Sequence, residues 1–413
     1  MEDFFILKMC ARHCTLPLHY GHVPAWLADR MKAMGTAITL AIIHQHGRDE
    51  FLRRISDPFW FQALGAVMGM DWHSSGITTS VMGALRKGLS PLSHETGLYI
   101  LGGRGRYSRN TPDEIIEVSM NRGLDGDSLV RCSRLSAKVD NSCIQDGFQI
   151  YLHNFILTAD GKWAVVQQGM NDASAMARRY HWLSEDVRSF VSDPHSAIEG
   201  ENMGEILNLS DCRADSARSS IMDFLSLHPE EQQHEMELLL SSRHLDMPGH
   251  HDVRPKDVDS KRLGAVLAAA YDMRFAEFTD ALLLKGLGPR TIQALSLVSE
   301  VIYGAPSRFT DPARFSFAHG GKDGHPAPVP LNVYDKSISV LKNAVNSAKL
   351  GNGDKLDALK KLDIMVRHIE NNFEPRADVN KLIAHERKIA PQHGGRTVFD
   401  NKESMRDVQL KLF

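Results

Sequence analysis

Lys285-Gly286-Leu287-Gly288-Pro289-Arg290-Thr291 interrupts two runs of apolar residues at helical spacing. Upstream, Phe275 to Leu284 carries one run; downstream, Ile292, Leu295, Val298 and Ile302 continue a single apolar face. Two helices therefore meet at a short glycine-rich turn. Pro289 suits the first helical position, where its missing N–H is not needed, while Gly286 and Gly288 permit positive φ and close backbone approach. Backbone N–H groups at the start of the second helix, with Lys285, Arg290 and Thr291 beside them, make a seat for an anion such as a DNA phosphate. The alternative is a helix pair whose turn binds nothing.

At 413 residues, 42% hydrophobic and 24% charged, the chain has enough apolar material for two or three domains of ordinary soluble composition. A formal charge of −3 gives no whole-molecule field to attract DNA, so nucleic-acid contacts must come from local basic patches. Five cysteines, an odd count with no C-x-x-C pair, argue against a disulfide framework and a zinc ribbon and fit a reducing cytoplasm. The N-terminus lacks the basic and apolar regions of a signal peptide, and no run of eighteen apolar residues occurs. The expected class is α+β. A mixed domain with a small antiparallel sheet spans 1–195, a mainly helical domain with the hairpin spans 196–350, and a helix plus flexible tail spans 351–413.

Trp26 to His44 carries a helical pattern, and Asp57-Pro58 opens another helix with Asp57 as N-cap. Asp71-Trp72-His73-Ser74-Ser75-Gly76-Ile77-Thr78-Thr79 gathers a carboxylate, an imidazole and four hydroxyls at the start of a helix expected from about Thr78, where caps and anions are both favoured. Gly102 to Pro112 reads as a flexible basic loop before a helix capped by Thr111. Its Arg104, Arg106 and Arg109, with Tyr107 for stacking, suit a sugar-phosphate backbone. Asp146-Gly147 leads into a strand, and Thr158-Ala159-Asp160-Gly161-Lys162 turns it into Trp163 to Gln168. Period two places Gln149, Tyr151 and His153 on one face, joined by Gln167 or Gln168. Asn171 is then expected to cap a helix on which Arg178, His181 and Trp182 share a face. His250-His251 lie in a long loop as structural or second-layer groups, and helices are expected near 331–349 and 354–372.

The Gly-rich turn between two helices resembles the helix-hairpin-helix of DNA repair and recombination proteins. Leu16-Pro17-Leu18-His19, Asp71-Trp72-His73-Ser74-Ser75-Gly76, Gln145-Asp146-Gly147-Phe148-Gln149, Val166-Gln167-Gln168-Gly169-Met170-Asn171, Arg178-Arg179-Tyr180-His181-Trp182 and Phe315 to Gly324 resemble the prokaryotic family called domain of unknown function 763 over roughly residues 10–345. That resemblance carries no established activity. It implies that these segments and the hairpin form one module. Gly304-Ala305-Pro306-Ser307-Arg308-Phe309-Thr310-Asp311 resembles the base-excision glycosylase segment that ends in a catalytic aspartate. Arg290, however, stands where bifunctional members place a lysine, and Asp311-Pro312 also reads as a helix start. Gln409-Leu410-Lys411-Leu412-Phe413 resembles the pentapeptide by which bacterial repair proteins dock on the sliding clamp, departing only at Lys411. Gln409 would supply the amide and Leu410, Leu412 and Phe413 the apolar anchors. That resemblance implies a bacterial source.

The favoured expectation is a metal-dependent nuclease acting on damaged or structured DNA in the cytoplasm, near the nucleoid. Asp140, Asp146 and His153 are its candidate ligands for Mg²⁺ or Mn²⁺, with Asp71, His73 and Gln168 contributing and Lys138 neutralising charge. Candidate DNA contacts are Arg104, Arg106, Arg109, Arg178, Lys285, Gly286, Gly288, Arg290 and Thr291. A glycosylase and a scaffold without chemistry are the competing expectations.

Overall fold

The computed structural model describes residues 16–17, 23–70, 75–172, 174–241, 260–313 and 331–372. In order, its elements are β1 (Leu16–Pro17), α1 (Ala25–His46), α2 (Arg48–Ile55), α3 (Pro58–Met68), α4 (Gly76–Leu89), α5 (Ser93–Thr96), β2 (Leu98–Arg104), α6 (Arg106–Arg122), α7 (Gly126–Ser142), β3 (Gln149–Thr158), β4 (Trp163–Asn171), β5 (Met176–Leu183), β6 (Ala197–Glu199), α8 (Asp215–Ser226), α9 (Pro229–Ser241), α10 (Ser260–Met273), α11 (Phe278–Leu282), α12 (Pro289–Val301), α13 (Leu331–Ser347) and α14 (Asn352–Asn372). The class is α+β. None of the described helices is long and apolar enough to cross a membrane.

The antiparallel sheet runs β1-β5-β4-β3-β2, with β6 also paired to β5. The turn at Thr158 to Lys162 sets the β3–β4 register. Thr158 N–H donates to Lys162 C=O over 2.9 Å, and Leu157 then faces Trp163. Alternation divides the side chains between two apolar layers. Leu98, Ile100, Ile156, Ala164, Val166 and Leu183 pack with α1 to α4, α13 and α14. On the opposite face, Leu101, Phe155, Leu157, Val165 and Trp182 pack with α6 to α12. This second core runs without interruption from the sheet to Leu282, Ile292 and Leu295 of the hairpin helices, so it crosses residue 195. Leu341 and Val345 of α13 lie against the first core, so the chain returns there after the hairpin.

Residues 176–183 form a strand, where the sequence pattern led us to expect a helix. Both faces of β5 are covered, and all its residues except Met176 are buried. A strand apolar or polar on both sides shows no clean alternation, and its neighbouring residues then mimic helical spacing. Asn171 caps the turn into β5 rather than a helix, its Oδ1 accepting from Ser174 N–H at 3.2 Å.

A second departure concerns α6, which begins at Arg106, so Arg106 and Arg109 are helical and Thr111 is not a cap. Pro112 lies inside the helix and cannot donate to Ser108 C=O. The Thr111 hydroxyl takes that carbonyl instead, at 2.9 Å.

Candidate nucleic-acid interface and the polar clusters of the sheet

The Gly-rich stretch joins α11 to α12 as the sequence pattern indicated, although α11 begins at Phe278 rather than Phe275. Gly286 has φ +101°, and a Cβ there would lie 2.6 Å from Val266 Cγ2, so both conformation and space require glycine. Gly288 has φ −94° and open space where a Cβ would stand. It is the N-cap of α12, with no side-chain cap and no acidic residue in the first helical turn. Lys285 and Arg290 are exposed on either side, and Leu287 is buried beneath them. Thr291 Oγ1 donates to Gly286 C=O at 3.3 Å, closing the turn. The turn is tied to the body by Gln145 Nε2, which donates to Pro289 C=O at 2.8 Å. Arg131 of α7 holds α11 through Asp280 at 2.6 Å. Lys138 lies two helical turns beyond Arg131 on the same face of α7. Its half-buried ammonium has no hydrogen-bond or ion-pair partner among the described residues, and burial lowers its pKa.

Arg104, Arg106 and Arg109 are exposed at the far end of β2 and the start of α6. Tyr107 stands among them, with the Arg86 and Arg106 guanidinium carbons 5.0 and 5.1 Å from its ring centre. The Arg106 contact lowers the Tyr107 pKa. Arg86 is fixed by Glu114 at 2.6 Å, whereas Arg104, Arg106 and Arg109 have no ion-pair partner among the described residues. Arg104 stacks on Tyr151, its guanidinium carbon 5.6 Å from the ring centre.

Tyr151 and His153 do not share a face. The β3–β4 register shifts between Ile150 and Leu152, leaving Tyr151 as the extra residue of a bulge. Tyr151 therefore meets Gln168, whose Nε2 donates to its hydroxyl at 2.6 Å, while His153 meets Gln167 on the opposite face. On the His153 side, Ser133 Oγ contacts His153 Nε2 at 2.8 Å and His153 Nδ1 contacts Gln167 Oε1 at 2.7 Å. Gln167 Nε2 then donates to Asp140, which also accepts from Trp182 Nε1 at 3.0 Å and contacts His195 Nε2. Burial keeps His153 neutral, which fits donation from Nδ1 and acceptance at Nε2. Sequence reasoning missed His195, because nothing in the irregular segment after β5 distinguishes it.

Deeper on that face, Arg178 is fully buried between Asp146 at 2.8 Å and Asp311 at 2.7 Å. Tyr180 donates to Asp146 at 2.7 Å, and Phe148 N–H does so at 2.9 Å. Burial pushes the Asp146 carboxyl up to about 6 against the pull of Arg178. Burial opposes the Arg178 charge, but the two carboxylates outweigh it and raise its pKa. Arg178 is thus an interior cation and not a surface contact for DNA. Asp311 also accepts from Met203 and Ala313 N–H groups, so it braces the segment 201–204 rather than facing a glycosidic bond.

The expected metal ligands are not brought together. Asp140 and Asp146 each accept from their own set of protein donors, and His153 reaches Asp140 only through Gln167. Among the described residues, the one trio with ligand atoms within 4.8 Å is Asp193, Asp211 and Cys212, and Arg213 already occupies both Asp211 oxygens. Asp71, His73, His250 and His251, the loop 318–325, and Gln409, Leu410, Leu412 and Phe413 lie outside the described residues.

On the other face, Gln168 joins Ser75 and Thr78 at the start of α4. Its Nε2 donates to Ser75 C=O at 3.0 Å, and the Thr78 hydroxyl donates to its Oε1. Arg179 Nε donates to Thr78 Oγ1 at 2.7 Å, and Nη1 to Glu199 at 2.6 Å. Only tertiary pairing joins these residues, so their alignment at one spot was not legible from spacing. A family model described as protein of unknown function (DUF763) matches residues 12–329. No curated protein and no solved structure matches the chain.

Proposed function

We propose, on the premise that this chain belongs to the DUF763 family, that the protein binds DNA through its sugar-phosphate backbone in DNA repair or replication. One observation carries the reading: the start of α12, uncapped and without acidic residues, lies between exposed Lys285 and Arg290 on a turn that Gly286 holds tight. Such a helix start favours an oxyanion without reading bases. The arginine rim at Arg104, Arg106 and Arg109 supports the reading with further exposed positive charge.

Within it, phosphodiester hydrolysis with Mg²⁺ or Mn²⁺ is the activity we put forward, resting on the ligand chemistry of Asp71 and His73 rather than on the committed carboxylates of Asp140 and Asp146. Labelled duplex, single-stranded, uracil-containing and lesion-containing DNA should be incubated with the full chain, with and without either metal. Strand cuts that need metal and are lost in Asp71→Asn support the nuclease. Abasic sites would transfer the reading to a glycosylase, and shifted bands without product to a binding protein. No shifted band on any substrate would end the proposal of DNA binding.

A further inference from the structure

Arg179 has a fully buried guanidinium that the DNA-binding reading does not use. Its Nη1 donates to Glu199, its Nε to Thr78 Oγ1, and its central carbon lies 4.6 Å from the Phe61 ring centre. Its Nη2 has no partner among the described residues. Nε and Nη2 occupy one edge of the planar group, so the unused donor points to the same side as Thr78, the third residue of α4. Gln62, buried beside it, accepts weakly from Nη1 at 3.4 Å, and its own Nε2 has no partner among the described residues. A buried donor left unpaired bears its full desolvation cost, and a charged one bears more. Arg179 Nη2 and Gln62 Nε2 are both left so, on side chains that meet through Nη1 and Oε1. Arg179 Nη2, on the Thr78 edge of the guanidinium, faces the first turn of a 14-residue helix whose N-terminal end carries positive dipole charge.

We propose that Arg179, Gln62 and the first turn of α4 form a binding site for one phosphate-type oxyanion, either free or at the end of a nucleic-acid strand. Arg179 Nη2 and Gln62 Nε2 supply hydrogen bonds to its oxygens, and the Thr78 hydroxyl fixes the guanidinium edge. Glu199 holds the opposite edge and thereby sets the plane. Tyr151, half-buried under Arg104, continues the hydrogen-bonded chain through Gln168 toward the arginine rim, so the outer cations lie along the approach. This site is separate from the hairpin and stands or falls independently of it.

The test is titration of the full chain with inorganic phosphate, followed by calorimetry and by the phosphorus resonance of the ligand. The same protein is then offered short oligonucleotides with and without a terminal phosphate. Saturable binding that weakens about tenfold in Arg179→Lys, and by a smaller factor in Gln62→Leu, supports the site, since each removes hydrogen bonds to a charged group. Gln62→Leu keeps the guanidinium and its ion pair, so it remains informative if Arg179→Lys does not fold. Arg290→Gln should leave phosphate binding intact while weakening duplex binding, which separates failure here from failure at the hairpin. Displacement of phosphate by the phosphorylated oligonucleotide alone assigns the anion to a strand end; no displacement assigns it to the free ion. Absence of saturable phosphate binding, or equal affinity in a folded Gln62→Leu chain, would overturn the proposal.

Discussion

Gly286 and Gly288 stand two positions apart and have different tasks. Gly286→Ala places a Cβ against Val266 at a backbone angle that alanine rarely adopts, so stability should fall by about 1–3 kcal/mol in a denaturant titration. Gly288→Leu meets open space at an ordinary φ, so the melting temperature should barely move. Under the DNA-binding proposal it should weaken binding about equally on unrelated duplexes, because the blocked contact is to backbone. Unchanged affinity on several sequences would leave the hairpin as a structural turn. Asp146 follows the same logic of environment. In isolation an aspartate to asparagine change reads as a clean test of a metal ligand, yet here Asp146 neutralises a fully buried Arg178. Asp146→Asn should therefore destabilise the fold by about 3–5 kcal/mol. Lost activity in that variant says nothing about catalysis unless folding is measured alongside.

At the scale of the element, β5 carries alternate residues into two polar clusters, and its histidine gives the fold an acid-sensitive point. His181 packs edge-on against Phe61, donates Nδ1–H to Ile55 C=O at 3.2 Å, and is pushed down to about 3 by burial and by the neighbouring Arg179 charge. Its folded pKa is below the unfolded value near 6.5, so the unfolded chain binds the proton first. Stability is then lost as pH falls from about 6.5 toward about 3, at up to about 1.4 kcal/mol per pH unit. Asp146 acts in the opposite sense: its folded pKa near 6 exceeds the unfolded value, so its contribution grows as pH falls from about 6 to about 4. Subtracting the urea-unfolding curve of His181→Gln from that of the native chain isolates the histidine. A difference that does not change between pH 6.5 and 4 would contradict a buried neutral His181.

At the scale of the whole molecule, one apolar layer packs the helices on either side of the turn against the sheet. Ile292 and Leu295 are fully buried in that layer. Leu295→Ala should cost about 2–5 kcal/mol in global unfolding and should not produce a separate early transition. Two distinct melting steps would show that the hairpin helices unfold as their own unit. Clamp docking also belongs to this scale, because it joins the folded body to a partner. Deleting Gln409 to Phe413 should abolish binding to a bacterial sliding clamp measured by fluorescence anisotropy, while leaving affinity for free DNA unchanged. Equal clamp binding by both chains, or none by either, would end that proposal.

The sequence by itself determined the elements whose residues signal their own conformation. Asp57-Pro58 starts α3, Thr158 to Lys162 turns β3 into β4, and Gly286 to Pro289 joins the hairpin helices, because caps, prolines and glycines act on backbone within a few residues. It also marked Tyr151, His153, Gln167, Gln168, Asp140 and Asp146 as chemically dense. The tertiary structure alone decided how they group. One extra residue at the Tyr151 bulge sends Tyr151 and His153 to opposite faces. Pairing of β5 inside the sheet buries Arg178 and Arg179 back to back. His195 and Asp311 arrive from distant segments to complete the two polar clusters. Periodicity reports which way a side chain points relative to its own neighbours, whereas register, bulges and strand order set what it meets, and those depend on contacts far apart in the chain.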